Sequence, residues 1–457
     1  MRQRALRLSL LAGAIVVAFV VLLAAYRDGA RENGIEAKGA RADRKPGAGS
    51  AAPLARLTVP PAYDPAHGWE IAGAPPTDAP ANALPYALAG SGTATRLAHL
   101  ESAGGNRFRL RTLDPASGKR GWDGAPTRPL FAPGLAPRLL NVTAADGRAY
   151  FVTWSYGKLD ATAPAPAPSD TIVSLDVYDA ATGARHRVEV PWPAAPVVTT
   201  AGSRVLISDG KATGAVVDPA TGAVSRVEPG ALGRPKGCRE CGRLTELRAV
   251  TEQGVLVGGA AEFWVRGGWF SRTVAPTGTA PASGVLSSVA PGRILARWQG
   301  RKGAKDTATH ETWAVHDLTT GKVLARTRCR RPALAPVDAP QPALSPTGRY
   351  LIAGRLAFDL ATRKGHCFEE ADGTGPLTLT AVTNEGTAYG AALARSVTDA
   401  LAGGGSPVVV DLTAGEPEPV ALAPNVRLPG GSTAGMGLFP WTDARDRPHL
   451  TAYPLRA

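Results

Sequence analysis

One six-residue pattern recurs six times along this 457-residue chain and constrains its fold more than any other feature. It reads DPASGK from Asp114, DAATGA from Asp179, DPATGA from Asp218, DLTTGK from Asp317, DLATRK from Asp359 and DLTAGE from Asp411. Asp accepts a hydrogen bond from a backbone N–H two residues on, and Gly takes the positive φ that closes a tight turn. Each copy therefore reads as a β-hairpin. Alternating or β-branched runs flank the copies, as in TIVSLDVY before Asp179, ARHRVEV after that turn and SPVVV before Asp411. In the fifth copy Arg363 replaces the glycine and Gly365 follows two positions later, which predicts a longer turn there.

The copies are spaced 65, 39, 99, 42 and 52 residues apart. The first gap contains DATAPAPAPSD, residues 160–170, an exposed loop because alternating Pro and Ala cannot join a sheet ladder. The 99-residue gap has room for two units, with VRGGWF around Gly267 and Gly268 supplying a hairpin. Six intervals then average about 50 residues, a period typical of four-stranded blades that bury their faces only by stacking on neighbours around an axis. Composition agrees: aromatics are only 6% and there are 53 Gly and 40 Pro, which favours short strands and many turns.

With these turns the chain resembles the quinoprotein-like and WD-repeat-like β-propellers, where an acidic residue, a Thr/Ser and a Gly mark the turn between the two outer strands of a blade. LSPTGRYLIAG, residues 344–354, also resembles the turn joining inner strands in TolB-like propellers. The resemblance runs from about residue 66 to the end and implies an all-β propeller of seven blades, with eight as the alternative. HLTAYPL, residues 449–455, would complete the first blade and close the ring. A non-propeller all-β domain or two β-sandwiches is the competing architecture.

Ahead of this domain, Leu8 to Tyr26 is an uncharged run of 19 residues, nearly matching a hydrocarbon core of about 30 Å as a helix. Arg2, Arg4 and Arg7 precede it and favour a cytoplasmic N-terminus. The expected organisation is a cytoplasmic segment 1–7, a transmembrane signal anchor 8–26, a flexible extracytoplasmic linker 27–60 and the propeller 61–457. A cleaved signal peptide is the alternative; the run is longer than the usual apolar region, and Leu23 sits where a small residue is wanted for a cut after Ala25. Either reading exports the domain. The net charge of +13 is concentrated at the start, where residues 1–56 hold ten Lys/Arg against four Asp/Glu. No recognition motif accompanies it, so no nucleic-acid partner is expected.

The four cysteines are Cys238, Cys241, Cys329 and Cys367. In an exported chain they read as two disulfides, Cys238 with Cys241 and Cys329 with Cys367, although four cysteines allow three connectivities. A four-thiolate zinc site and a redox-active Cys238–Cys241 pair are the competing readings. His310 and Glu311 begin an H-E-x-x-H, but the next histidine is His316 and HETWAVHDL reads as a strand. The pyrroloquinoline quinone of some quinoproteins fits poorly: only the first turn is followed by a tryptophan, Trp122, and a vicinal cysteine pair is absent. No cofactor, no metal and no catalytic residue is assigned. Trp264 and Trp269, flanking a Gly-Gly turn, are the candidate binding surface. The expected function is a non-enzymatic binding or scaffolding module at the cell membrane, engaging a protein or cell-envelope polymer. The alternative is an exported hydrolase or lyase with its site at the propeller channel.

Overall fold

The computed structural model describes residues 54–72, 86–90, 94–130, 137–158, 171–238, 241–303, 305–331, 340–369, 376–433, 435–444 and 447–456. The chain divides into two compact units, and the second, Leu54–Ala457, contains all of these. The anchor expected at 8–26, the linker up to residue 53 and the Pro/Ala run 160–170 lie outside the described residues. Among the described residues no helix is long and apolar enough to cross a membrane.

Short strands joined by hairpins pair antiparallel with their chain neighbours, producing one four-strand meander after another. The first comprises Tyr86–Ala89, Arg96–Ser102, Phe108–Leu113 and Arg120–Asp123. The second comprises Arg138–Thr143, Ala149–Gly157, Ile172–Asp179 and Arg185–Pro191. Val197–Thr199, Val205–Ser208, Gly214–Val217 and Val224–Val227 make the third. The fourth has Glu246–Val250, Val255–Gly258 and Phe263–Val265, with a bridge from Trp264 to Phe270 at its outer edge. Val285–Ala290, Arg293–Gln299, His310–Asp317 and Val323–Arg330 follow as the fifth. The sixth is Pro342–Leu344, Tyr350–Ala353, Leu356–Asp359 and Lys364–Cys367, joined to the fifth by one parallel pair, Arg326 with Lys364. Leu377–Val382, Thr387–Ala392, Ser406–Asp411 and Pro419–Ala421 form the seventh. The last unites Gly431–Thr433, Met436–Thr442 and Pro448–Pro454 with the N-terminal strand Trp69–Ala72.

This succession of radial sheets is a β-propeller. Its closure differs from the expectation. The C-terminal run does not complete the first blade; Pro448–Pro454 is the third strand of the last sheet, and Trp69–Ala72 pairs beside it, from Trp69 opposite Ala452 to Ala72 opposite His449. Residues 54–60, expected as linker, also belong to the propeller. Leu54, Leu57 and Val59 pack against the core of the last two blades, the Leu57 amide donates to Tyr453 Oη at 3.1 Å, and the Arg427 amide donates to Thr58 O at 2.7 Å.

Apolar clusters join each blade to the next. Val152 and Val177 meet Ile207 and Val217 between the second and third, and Leu438 and Leu450 meet Leu97 and Leu113 between the last and the first. Central strands are consequently covered on both faces, which explains why VLIS, VLVG and YLIA are unbroken apolar or small-residue runs without alternation.

Each motif turn has the anticipated chemistry. Asp179 Oδ1 accepts from the amides of Ala181 and Thr182 at 3.0 and 2.9 Å, and Asp218, Asp317 and Asp359 repeat the pair. The turn at Asp359 is not longer than its relatives: Arg363 takes the left-handed conformation (φ +62°) that glycine takes elsewhere, and Asp359 pairs directly with Lys364. The last copy is the looser one, with Val410 paired to Pro419 and Gly415 absent from the positive-φ positions.

Tryptophan packing between blades is commoner than the sequence suggested. Trp69, Trp122 and Trp269 lie over Gly118, Gly183 and Gly321, where an added Cβ would come within 2.4, 2.7 and 2.6 Å of the indole. Each indole N–H donates to the carbonyl of the residue after the motif Asp: Pro115, Ala180 and Leu318, at 2.9, 3.0 and 3.2 Å. Glycine is thus required twice at these turns, for φ and for close approach.

Candidate functional site

The inner-strand turns of the second to fifth blades surround a cavity of about 310 Å³. Its wall is made of Asn141, Val142 and Thr143, of Thr200, Gly202 and Ser203, of Val250, Thr251 and Glu252, and of Pro291, Gly292, Leu318 and Thr319. Backbone hydrogen bonds fix the turns of the third, fourth and fifth blades to one another. The Ser203 amide donates to Val250 O at 3.1 Å, the Gly292 amide to Ala201 O at 3.1 Å, and the Leu318 amide to Gly292 O at 3.1 Å. The turn of the third blade therefore reaches across the fourth to the fifth. Gly202 makes this crossing feasible, since a Cβ there would sit 1.6 Å from Val250 O.

Five hydroxyl side chains, an amide and one carboxylate line this cavity, and Glu252 is the ionisable member of the lining. Ser203 Oγ is buried without a protein hydrogen-bond partner among the described residues. Such a wall offers donors and acceptors at fixed positions to a neutral polar ligand. Sequence reasoning missed it because its residues come from five separate turns, four between inner strands and one the motif turn at Asp317.

A second recurrent feature on these turns also escaped the sequence reading. Arg148, Arg204, Arg293 and Arg349, each at the start of a second strand, reach the outer-turn Asp of the same blade. Their guanidinium groups lie 2.5, 3.8, 3.1 and 2.9 Å from Asp179, Asp218, Asp317 and Asp359. The signal was present as an arginine entering the second strand in DGRAY, AGSRV, PGRIL and TGRYL. The carboxyls of Asp179, Asp218 and Asp359 are held below the usual carboxylate range: burial opposes this, but the arginines and turn hydrogen bonds outweigh it.

The structure places the expected tryptophan surface elsewhere. Trp264 is 1% exposed, with its indole N–H donating to Leu232 O at 3.0 Å, and it packs in the core between the third and fourth blades. Trp269 covers Gly321 and sits edge-on to Phe263. The Gly-Gly turn points both rings back into blade contacts, which leaves Trp264 no face to offer a partner.

Both expected disulfides are present, Cys238–Cys241 and Cys329–Cys367. The second links the outer strands of the fifth and sixth blades. In the chain-entropy model a loop of its length contributes about 4 kcal/mol, whereas the short loop of the first contributes only about 2. Glu262 approaches the first pair and Glu369 the second, so in reduced form either could present three donors to a cation. The strand expected for HETWAVHDL is observed as His310–Asp317. His316 is buried with Nδ1 2.7 Å from Gly321 O, and burial pulls its pKa down to about 4. Burial, then the neighbouring Arg111, does the same to His99, also to about 4. Both are neutral packing residues at neutral pH.

No family model and no curated protein matches the sequence. Among solved structures, a chain of the mitotic checkpoint complex aligns over 93% of this chain and 99% of its own at 8% identity and TM-score 0.36. The RRP9 WD40 repeats align over 85% of this chain and 100% of their own at 10% identity and TM-score 0.33. The fold assignment stands on the strand pairing described above.

Proposed function

We propose that this protein is an eight-bladed propeller, tethered outside the cytoplasmic membrane by residues 8–26, that binds a protein or cell-envelope polymer without transforming it. The cavity between the inner turns of the second to fifth blades carries the reading. Interblade backbone bonds join the turns of three of its four blades, it is rich in hydroxyls, and among the described residues Glu252 is the one ionisable group that lines it. General acid–base hydrolysis ordinarily pairs two titratable groups across the substrate, whereas recognition of a polar chain needs fixed donors and acceptors. Eight meanders and eight interblade clusters support the blade number. The tryptophan-on-glycine contacts support kinship with quinoprotein-like propellers, and the Ser345–Tyr350 turn, joining inner strands, supports the TolB-like comparison. The anchor rests on the apolar run itself.

The test is equilibrium binding of the purified protein to isolated cell-wall polymer and to solubilised envelope proteins, beside the variants Thr143→Trp and Thr319→Trp. Both threonines are exposed at the cavity rim, so the bulk enters the cavity without entering the core. Binding weakened at least about tenfold, with an unchanged melting temperature, is expected; a tenfold loss corresponds to about 1.4 kcal/mol. Binding equal to wild type in both variants would remove the cavity as the recognition site.

A further inference from the structure

The loop between the third and fourth blades sets a cysteine pair at the edge of the core beside a buried, ion-paired carboxylate. Cys241 is 0% exposed while its disulfide partner Cys238 is half-buried, so an attacking sulfur could reach only one end of the bond. Cys238 Sγ lies 3.0 Å from Glu262 Oε2, and the Cys241 amide donates to Cys238 Sγ at 3.2 Å. Glu262 is 2% exposed and its backbone is left-handed, at φ +75°, a conformation that non-glycine residues adopt mainly where surrounding structure enforces it. Arg272 fixes its carboxylate through two hydrogen bonds, one of them Nη2 to Oε2 at 2.8 Å. Arg234 also faces the loop, its Nη1 3.5 Å from where a Cβ on Gly242 would stand. Beside the pair Leu244 is 79% exposed, an apolar side chain held outward at φ +49°.

Three features set this pair apart from an inert bridge: one accessible sulfur, one shielded sulfur, and a proton acceptor at hydrogen-bond distance. We propose that Cys238–Cys241 is a thiol–disulfide exchange site that passes two electrons from a protein dithiol to a protein disulfide. A thiolate of the dithiol substrate attacks Cys238 Sγ. The Cys238–Cys241 bond breaks, and its electron pair leaves on Cys241 Sγ, which takes up a proton. The second substrate thiolate attacks the substrate sulfur of the mixed disulfide, releasing Cys238 as thiolate and the substrate as disulfide. Protonated, Cys238 donates its S–H to Glu262 Oε2. In the return half-reaction Glu262 accepts that proton, and the Cys238 thiolate attacks a second protein's disulfide. Cys241 then closes the bond, leaving the second protein as dithiol. Leu244 supplies the apolar contact for the substrate chain. None of its residues lines the cavity, and it does not depend on that reading.

The experiment uses the full chain and a fluorescent peptide carrying two cysteines, added as dithiol or as disulfide. Wild type should exchange with both forms, and differential alkylation after graded reduction by glutathione should show Cys238–Cys241 opening well before Cys329–Cys367. Cys241→Ser should accumulate a peptide adduct on Cys238, detected by mass, and Cys238→Ser should form none. Glu262→Gln should slow attack by Cys238 on the order of a hundredfold and alter the pH profile. The double variant Cys329→Ser/Cys367→Ser should exchange as wild type does. Should Glu262→Gln fail to fold, the alkylation order in wild type still decides. Reduction of the two bridges together, an adduct that also forms in Cys238→Ser, or zinc uptake by the reduced pair that blocks exchange would each overturn the proposal.

Discussion

At the residue scale, the most demanding positions are the glycines under tryptophan. Gly118, Gly183 and Gly321 have φ of +67°, +75° and +70°, and each supports an indole at less than van der Waals distance from an added Cβ. Gly348 has φ +70° with nothing within 4 Å of such a Cβ. Replacing Gly183 or Gly321 by Ala should therefore cost about 2–4 kcal/mol, combining backbone strain with displacement of the ring, whereas Gly348→Ala should cost about 1–2 kcal/mol. Urea unfolding of the three variants separates the two contributions. Equal losses would show that the indole contact is not what constrains the turn. Arg363 shows that the conformation alone does not demand glycine, since an arginine takes φ +62° at the equivalent position.

At the element scale, the N-terminal strand is the piece on which closure depends. Trp69–Ala72 gives the last blade its outer edge, and Trp69 also covers Gly118 in the first blade. Glu70 ties the same strand to both its neighbours: Oε1 lies 2.7 Å from His449 Nδ1, and Oε2 accepts from the Ala55 amide at 2.9 Å. A chain beginning at residue 73 should lose these contacts and expose the edge of Pro448–Pro454. A lower unfolding midpoint and concentration-dependent association through the open edge are the expected results, read by calorimetry and light scattering. A chain beginning at Leu54 retains every contact named here and should match the full chain in both. If the shorter chain also stays monomeric and equally stable, the N-terminal strand does not close the ring.

For the whole molecule, the buried histidines make stability depend on pH. His99 and His316 have folded-state pKa values depressed to about 4, against about 6.5 in an unfolded chain. The unfolded chain therefore binds more protons between those values. Stability contributed by keeping the rings neutral is complete above about pH 6.5, is lost as pH falls towards 4, and changes no further below that. Each ring adds a slope of up to about 1.4 kcal/mol per pH unit in this window. Depressed turn carboxylates such as Asp359 and Asp411 extend the loss to lower pH, as their stabilisation disappears once they protonate. Denaturation midpoints measured from pH 7.5 to 4.5 should fall steadily in wild type and less steeply in His316→Leu and His99→Phe. The slope is the readout, and an unchanged slope in both variants would exclude the buried rings as its source.

The repeating unit was legible in the residues alone. Asp, Thr and Gly in a six-residue pattern dictate a turn through local hydrogen bonds and one left-handed residue, and those interactions need no distant partner. The all-β class, the hairpins at Asp114, Asp179, Asp218 and Asp317, and the strand character of HETWAVHDL follow from that local chemistry. The pairing of Cys329 with Cys367 was the expected one of three connectivities, and the structure has it. Tertiary structure alone decided what depends on residues far apart in the chain. Trp264 and Trp269 flank an exposed-looking turn, yet blade stacking buries the first and lays the second on Gly321. Residues 54–60 read as linker, yet they pack on the last two blades, and the strand Trp69–Ala72 pairs beside the C-terminal strand to close the ring. The cavity arises from turns contributed by four blades, and the approach of Glu262 to Cys238 spans 24 residues. Neither leaves a linear pattern, because a propeller assembles its functional surfaces by angular stacking of units whose separation in sequence is a whole blade.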